Sequence, residues 1–109
     1  MSRKTLYVVV PCYNEEEVLR ETAKRLGEKL RSLIGSGKIG KQSRILFVND
    51  GSKDRTWELI AGLHEQDGLY AGLNLSRNKG HQNALFAGLM YAKERADLAI
   101  SMDADLQDD

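Results

Sequence analysis

A single cysteine, Cys12, leaves no internal disulfide framework, and a lone thiol fits a reducing, cytoplasmic compartment. No base accompanies it, so it reads as a small packed residue rather than a nucleophile. Aromatic residues make up only 6% of the 109-residue chain, so its core has to be aliphatic. The longest apolar run, Leu6 to Val10, is far short of the about 20 residues that a membrane span takes, and no signal peptide is expected from these residues. Two histidines without further ligand spacing make no zinc site. Neither sign of charge is in excess: Lys and Arg total 16, as do Asp and Glu, which gives no overall pull towards nucleic acid. What remains is one domain over residues 1–109, neither fibrous nor disordered, with a modest core.

Charge is balanced in sum but not along the chain. Up to Arg44 there are 10 basic and 5 acidic residues, a net of +5, which leaves 6 basic and 11 acidic beyond it, a net of −5. The acid gathers in the second half.

Leu6-Tyr7-Val8-Val9-Val10 is rich in β-branched residues and stops at the only proline, Pro11, which predicts a central strand over 6–10. Asn14 followed by Glu15-Glu16-Glu17 reads as an N-cap with acid in the first helical turn. Glu16 and Glu17 fit a solvated cap; Glu15, nearest the strand end, is the one placed to face a ligand crevice. Val18, Leu19, Thr22, Leu26, Leu30, Leu33 and Ile34 then recur at helical spacing up to the glycines from Gly35 to Gly40.

A second unit repeats this plan. A strand near 44–48 runs out into Asn49-Asp50-Gly51-Ser52, and Asp54 or Ser52 caps a helix carrying Trp57, Leu59, Ile60 and Leu63. Asp50 fits two roles equally: an acceptor for a base or ribose at a strand's carboxyl end, or an Asx-type turn. His64, among Glu65, Gln66 and Asp67, reads as a surface residue.

The third strand, 70–75, is weakened by Gly72. After it, Ser76-Arg77-Asn78-Lys79-Gly80-His81 is a basic loop opening a helix whose Ala84, Ala87, Gly88 and Ala92 permit close approach to a sheet. Helix N-terminal N–H groups beside Arg77 and Lys79 suit a phosphate, although a basic solvated turn explains them as well. His81 orients or packs rather than catalyses.

A fourth apolar run, 97–102, reads as a buried strand and ends at Asp103-Ala104-Asp105-Leu106-Gln107. Asp103 and Asp105 point the same way in extended backbone, with Ala104 opposite. Two carboxylates so placed suit a hard cation such as Mg²⁺ or Mn²⁺, and Gln107 offers a third oxygen in phase; a lone Asp-x-Asp is more often an acidic loop, and what favours the cation is its place after a hydrophobic strand that others precede in regular order.

Four strands separated by helices predict an α/β fold: a parallel sheet with helices on both faces. Each polar cluster follows a strand, so all of them share one edge of that sheet. An acidic recognition residue, a basic loop and a paired-carboxylate metal point suit a nucleoside diphosphate. Two other classes use similar parts: a non-catalytic nucleotide-binding module, and a phosphoacceptor receiver-like signalling domain. The receiver, however, wants its acidic pair just after the first strand.

In order along the chain, Val9-Val10-Pro11-Cys12-Tyr13-Asn14-Glu15-Glu16, Val48-Asn49-Asp50-Gly51-Ser52-Lys53-Asp54, Ser76-Arg77-Asn78-Lys79-Gly80 and Met102-Asp103-Ala104-Asp105-Leu106-Gln107 resemble the inverting glycosyltransferases of family two, with the GT-A fold. The Asp-Ala-Asp-Leu-Gln form and the Arg-Asn-x-Gly loop most resemble the polyprenyl-phosphate glycosyltransferases of the dolichyl-phosphate mannose synthase type. The resemblance implies that Pro11, Tyr13, Glu15 and Asp50 hold the nucleoside of a UDP or GDP sugar and that Gly80 lies near the diphosphate. Asp103, Asp105 and Gln107 hold Mg²⁺ or Mn²⁺ by the same resemblance, and Asp103 belongs to the nucleotide site too. It also implies a lipid-phosphate or saccharide acceptor and a longer parent, at the cytoplasmic face of a membrane for a lipid acceptor. No catalytic residue is then expected in these 109 residues, because the general base falls after Asp109. A sheet deprived of its other half exposes an edge or apolar face, and the chain is then expected to self-associate or to be poorly stable.

Overall fold

In the computed structural model, which describes residues 3–104, three strand–helix units and a final strand follow one another. They are β1 (Leu6–Cys12), α1 (Leu19–Gly35), β2 (Arg44–Asp50), α2 (Thr56–Gln66), β3 (Tyr70–Leu75), α3 (His81–Lys93) and β4 (Leu98–Ser101). The strands form one sheet in the order β3-β2-β1-β4, and every neighbouring pair is parallel. The predicted α/β architecture is therefore present, with β1 and β2 central.

Alternation along the central strands divides the core between the two faces. Val8, Val10, Cys12, Ile45 and Phe47 pack with Leu19, Ala23, Leu26 and Leu30 of α1 and Ile60 of α2. Tyr7, Val9, Leu46 and Val48 point the other way, onto Ala84 and Ala92 of α3. On that side Gly88 lets the helix sit against the sheet: a Cβ there would lie 2.4 Å from Val9 Cγ1 and 2.8 Å from Val48 Cγ2. α1 closes with a Schellman arrangement, in which Gly37, at φ 78°, donates to Ile34 and Lys38 donates to Leu33.

Four details depart from the sequence reading. First, β1 does not stop at Pro11 but runs on to Cys12, pairing Pro11 with Val48. The reason is local. Val9 turns its carbonyl to β4 by accepting the Met102 N–H, so Pro11, of the same parity, aims its missing N–H beyond the last β4 pair, Val9 with Ser101. No ladder bond is lost.

Second, β2 continues through Asn49 and Asp50, which are buried strand residues rather than the start of a turn. Third, Asn14 is not an N-cap: it adopts φ 53°, and the helix begins after Val18. A separate turn precedes it, closed by Val18 and Leu19 N–H groups on the Glu15 carbonyl. Asn14 spends its polar groups elsewhere, on the loop after β2.

Fourth, β4 is not buried. It forms an edge of the described sheet, and Leu98 and Ile100, in register with Leu6 and Val8, are 51% and 47% exposed. An apolar run shows that a strand wants cover without showing that the described residues provide it. Among the described residues, no helix is long and apolar enough to cross a membrane.

Candidate functional site

The carboxyl ends of parallel strands are where open α/β sheets bind ligands, and here the loops after all four strands meet. They enclose a cavity of roughly 370 Å³, lined by Pro11, Cys12, Tyr13 and Glu15 after β1, Asp50 at the end of β2, Asn78, Gly80 and His81 between β3 and α3, and Asp103 and Ala104 after β4. Ligand pockets start at about 300 Å³, so the space suits a small polar molecule. Glu15, Asp50 and Asp103 bring three carboxylates to it.

Asp50 is held firmly. It is 3% exposed and its Oδ1 accepts the backbone N–H of Lys79 at 2.7 Å, tying the β3–α3 loop to β2. Gly51 makes that approach sterically feasible. Its φ is 65°, and a Cβ there would lie 2.2 Å from the Asn78 nitrogen and 2.3 Å from the Arg77 carbonyl carbon. Beyond it, Asn78 Oδ1 accepts the Gly80 N–H at 3.1 Å, and Gly80, at φ 95°, opens α3.

A second clamp fixes the loop carrying Tyr13 and Glu15 against the loop after β2. The Asn14 N–H donates to Ser52 Oγ at 2.9 Å, and Asn14 Oδ1 accepts the Lys53 N–H at 2.8 Å. The Glu15 N–H donates to Thr56 Oγ1 at 2.8 Å, whose hydroxyl donates to Asp54 Oδ1 at 2.5 Å. Asp54 also accepts the N–H groups of Thr56 and Glu16. Burial works against its charge, but the bonds from Thr56 and Glu16 outweigh that and hold its carboxyl below the usual carboxylate range. From the sequence Ser52 and Asp54 read only as helix caps, and nothing in their spacing signals that they also gather the first loop.

Cys12, deep in the cavity wall, is inert. Burial, and then the Glu15 carboxylate, push its thiol far above its ordinary pKa.

Of the expected site residues, Pro11, Tyr13, Glu15, Asp50, Gly80 and Asp103 line the cavity together. Asp105 and Gln107 lie outside the described residues, and among the described residues no cluster of three His, Cys, Asp or Glu is spaced to hold a metal. Asp103 alone of the expected metal ligands is therefore described, an exposed carboxylate at the cavity and a hard oxygen donor of the kind such cations take. Arg77 and Lys79 do not line the cavity; from that loop Asn78 and His81 do, and Lys79 acts through its backbone.

The model of the family described as Glycosyl transferase family 2 matches residues 7–109. A Bacillus subtilis protein named as glycosyltransferase YkoT is 55% identical over 108 residues, which are 99% of this chain and 32% of that protein. The undecaprenyl-phosphate 4-deoxy-4-formamido-L-arabinose transferase of Pseudomonas paraeruginosa is 42% identical over 101 residues, 92% of this chain and 27% of the other. Among solved structures, the mannosyltransferase PcManGT of Pyrobaculum calidifontis, in complex with GDP-Man and Mn²⁺, superposes with a TM-score of 0.74 at 21% identity, covering 96% of this chain and 28% of its own. The chain spans about a third or less of the length of these proteins. With its parallel sheet on the Rossmann-like GT-A plan and the family match running over nearly all its residues, the chain belongs to glycosyl transferase family 2.

Proposed function

We propose that residues 1–109 are the nucleotide-sugar-binding part of a longer glycosyltransferase, which moves a sugar from a nucleoside-diphosphate donor to an acceptor with inversion at the anomeric carbon. The observation that carries this reading is the convergence of Pro11, Tyr13, Glu15, Asp50, Gly80 and Asp103, from four strand ends, on one cavity. Pro11, Tyr13, Glu15 and Asp50 hold the nucleoside: the Tyr13 ring offers a face to the base, and the Asp50 carboxylate keeps an acceptor oxygen besides the one bonded to Lys79. Gly80 and the N-terminus of α3 favour the diphosphate.

Asp103, with Asp105 and Gln107, would hold Mg²⁺ or Mn²⁺, which supplies charge neutralisation of the departing nucleoside diphosphate. The transfer forms a bond from the acceptor oxygen to the anomeric carbon as the bond from that carbon to the donor phosphate breaks. The acceptor's proton passes to a base that this reading places after Asp109.

For the acceptor we favour a polyprenyl phosphate, supported by the relative named for undecaprenyl phosphate. With such an acceptor the full-length protein is expected to act at the cytoplasmic face of a membrane. The 109-residue chain by itself pairs with a second copy along β4, a reading supported by the exposure of Leu98 and Ile100.

The test is transfer by the full-length protein from UDP and GDP sugars to undecaprenyl phosphate or to soluble oligosaccharides. The expected product is a glycolipid whose anomeric configuration is opposite to that of the donor. Retained configuration contradicts the reading, as does the absence of transfer to either acceptor.

A further inference from the structure

The apolar stripe that α1 turns to the sheet contains one hydroxyl, Thr22, 2% exposed between Leu19, Ala23 and Leu26. Buried helical threonines commonly return the hydroxyl to the carbonyl one turn back. Here the Val18 carbonyl receives the Thr22 N–H at 3.0 Å, and Thr22 Oγ1 instead donates to the carbonyl of Ala104, 82 residues away. Ala104 is 4% exposed and packs in the core formed with Val10, Cys12 and Leu19.

Two residues earlier, the Met102 N–H donates to the Val9 carbonyl at 3.0 Å. The segment leaving β4 is thus fastened to β1 at Met102 and to α1 at Ala104, while Asp103, between the two fastenings, lines the cavity. Strand pairing ends with that Met102 bond, one residue short of Asp103, so beyond it the hold on the segment comes at Ala104. A valine at position 22 would offer nearly the same shape to the core; only the bond to Ala104 calls for oxygen.

We infer that Thr22 is a positioning residue for the acidic motif: through the Ala104 carbonyl it fixes the segment that presents Asp103. Its consequence for ligand binding rests on the proposal that Asp103 serves a metal-bound nucleoside diphosphate. The residue is separate from the nucleotide contacts themselves, since Thr22 does not line the cavity and reaches the motif only through Ala104.

The test compares Thr22→Val and Thr22→Ser in the full-length protein by two readouts, amide hydrogen exchange across residues 102–104 and calorimetry of UDP and GDP with Mn²⁺ and with chelator. Losing one hydrogen bond predicts about tenfold faster exchange and an about tenfold smaller Mn²⁺-dependent gain in affinity for Thr22→Val, with metal-free affinity unchanged and Thr22→Ser close to the parent. If Thr22→Val does not fold, Thr22→Ala carries the same expectation. Exchange and Mn²⁺-dependent affinity both unchanged, even with a lowered melting temperature, overturn the inference and leave Thr22 a core residue. Should the parent bind neither nucleotide in a metal-dependent way, the functional reading fails, while exchange still decides whether Thr22 fixes the segment.

Discussion

Asp50 at the end of β2 and Lys79 at the start of the α3 approach are joined by a 2.7 Å bond from the Lys79 N–H to Asp50 Oδ1. One carboxylate thereby shapes the wall of the cavity and serves it as an acceptor. Removing it should cost twice. Asp50→Ala is expected to leave the Lys79 N–H without its partner, lowering stability by about 1–3 kcal/mol. It should also weaken nucleotide binding at least tenfold. Urea denaturation and calorimetry on the same variant separate the two effects, and unchanged affinity with lowered stability would reduce Asp50 to a structural role.

Gly51 offers a sharper steric test. A side chain there meets both a positive φ, which costs about 1–2 kcal/mol for an L residue, and the backbone of Arg77 and Asn78. Gly51→Ala should displace the β3–α3 loop and abolish nucleotide binding while leaving the helical circular-dichroism signal in place. Binding at parental strength would show that the loop is not fixed as described.

Acid should loosen two contacts that depend on ionised aspartates. Asp54 is held below the usual carboxylate range, burial opposing and the Thr56 and Glu16 hydrogen bonds prevailing; Asp67 is held there first by Arg31 and then by the Leu69 N–H. Both folded pKa values lie below the unfolded value of about 3.9. The stability they contribute is therefore complete above that value and is lost as pH falls through the folded pKa. Melting temperature followed from pH 7 to pH 3 should drop more steeply in the parent than in Asp54→Asn, and an identical profile would contradict the clamp.

Most of the fold was legible because the chain repeats a simple plan. Leu6 to Val10 and Ile45 to Val48 announce strands by β-branched, apolar content, and Leu19, Thr22, Leu26 and Leu30 announce a helix by spacing. The cavity was legible for the same reason, since strand ends in a parallel sheet must share an edge. What escaped reading depends on partners distant in sequence. Asn14 looked like a cap because Asn often is one; its Oδ1 instead serves Lys53, 39 residues on. Thr22 looked like filler in a stripe, and nothing local signals that its hydroxyl reaches Ala104. Leu98 and Ile100 read as buried because composition records the demand for cover, not what supplies it.

That exposed edge makes its own prediction. The 109-residue chain should dimerise in a concentration-dependent way, and Ile100→Lys, which places a charge on the edge strand, should shift it to monomer. Sedimentation showing the unmodified chain monomeric at high concentration would count against pairing along β4.

The core gives a calibration for all of these. Phe47, wholly buried between β1, β3 and the helices, stacks on Tyr70 at 6.1 Å between ring centroids. Phe47→Ala should lose about 3–5 kcal/mol in denaturant unfolding, and a loss under 1 kcal/mol would mean a core less closely packed than described.

On the proposed function, the acidic motif after β4 serves a metal-bound nucleoside diphosphate. Calorimetry of UDP and GDP on the full-length protein, with Mn²⁺ and with chelator, for the parent and for Asp105→Asn, addresses it most directly. One nucleotide is expected to bind well only with Mn²⁺, and Asp105→Asn to lose that dependence, because an amide neither offsets the cation's charge nor ligates it as tightly. Affinity indifferent both to the metal and to the substitution would contradict it.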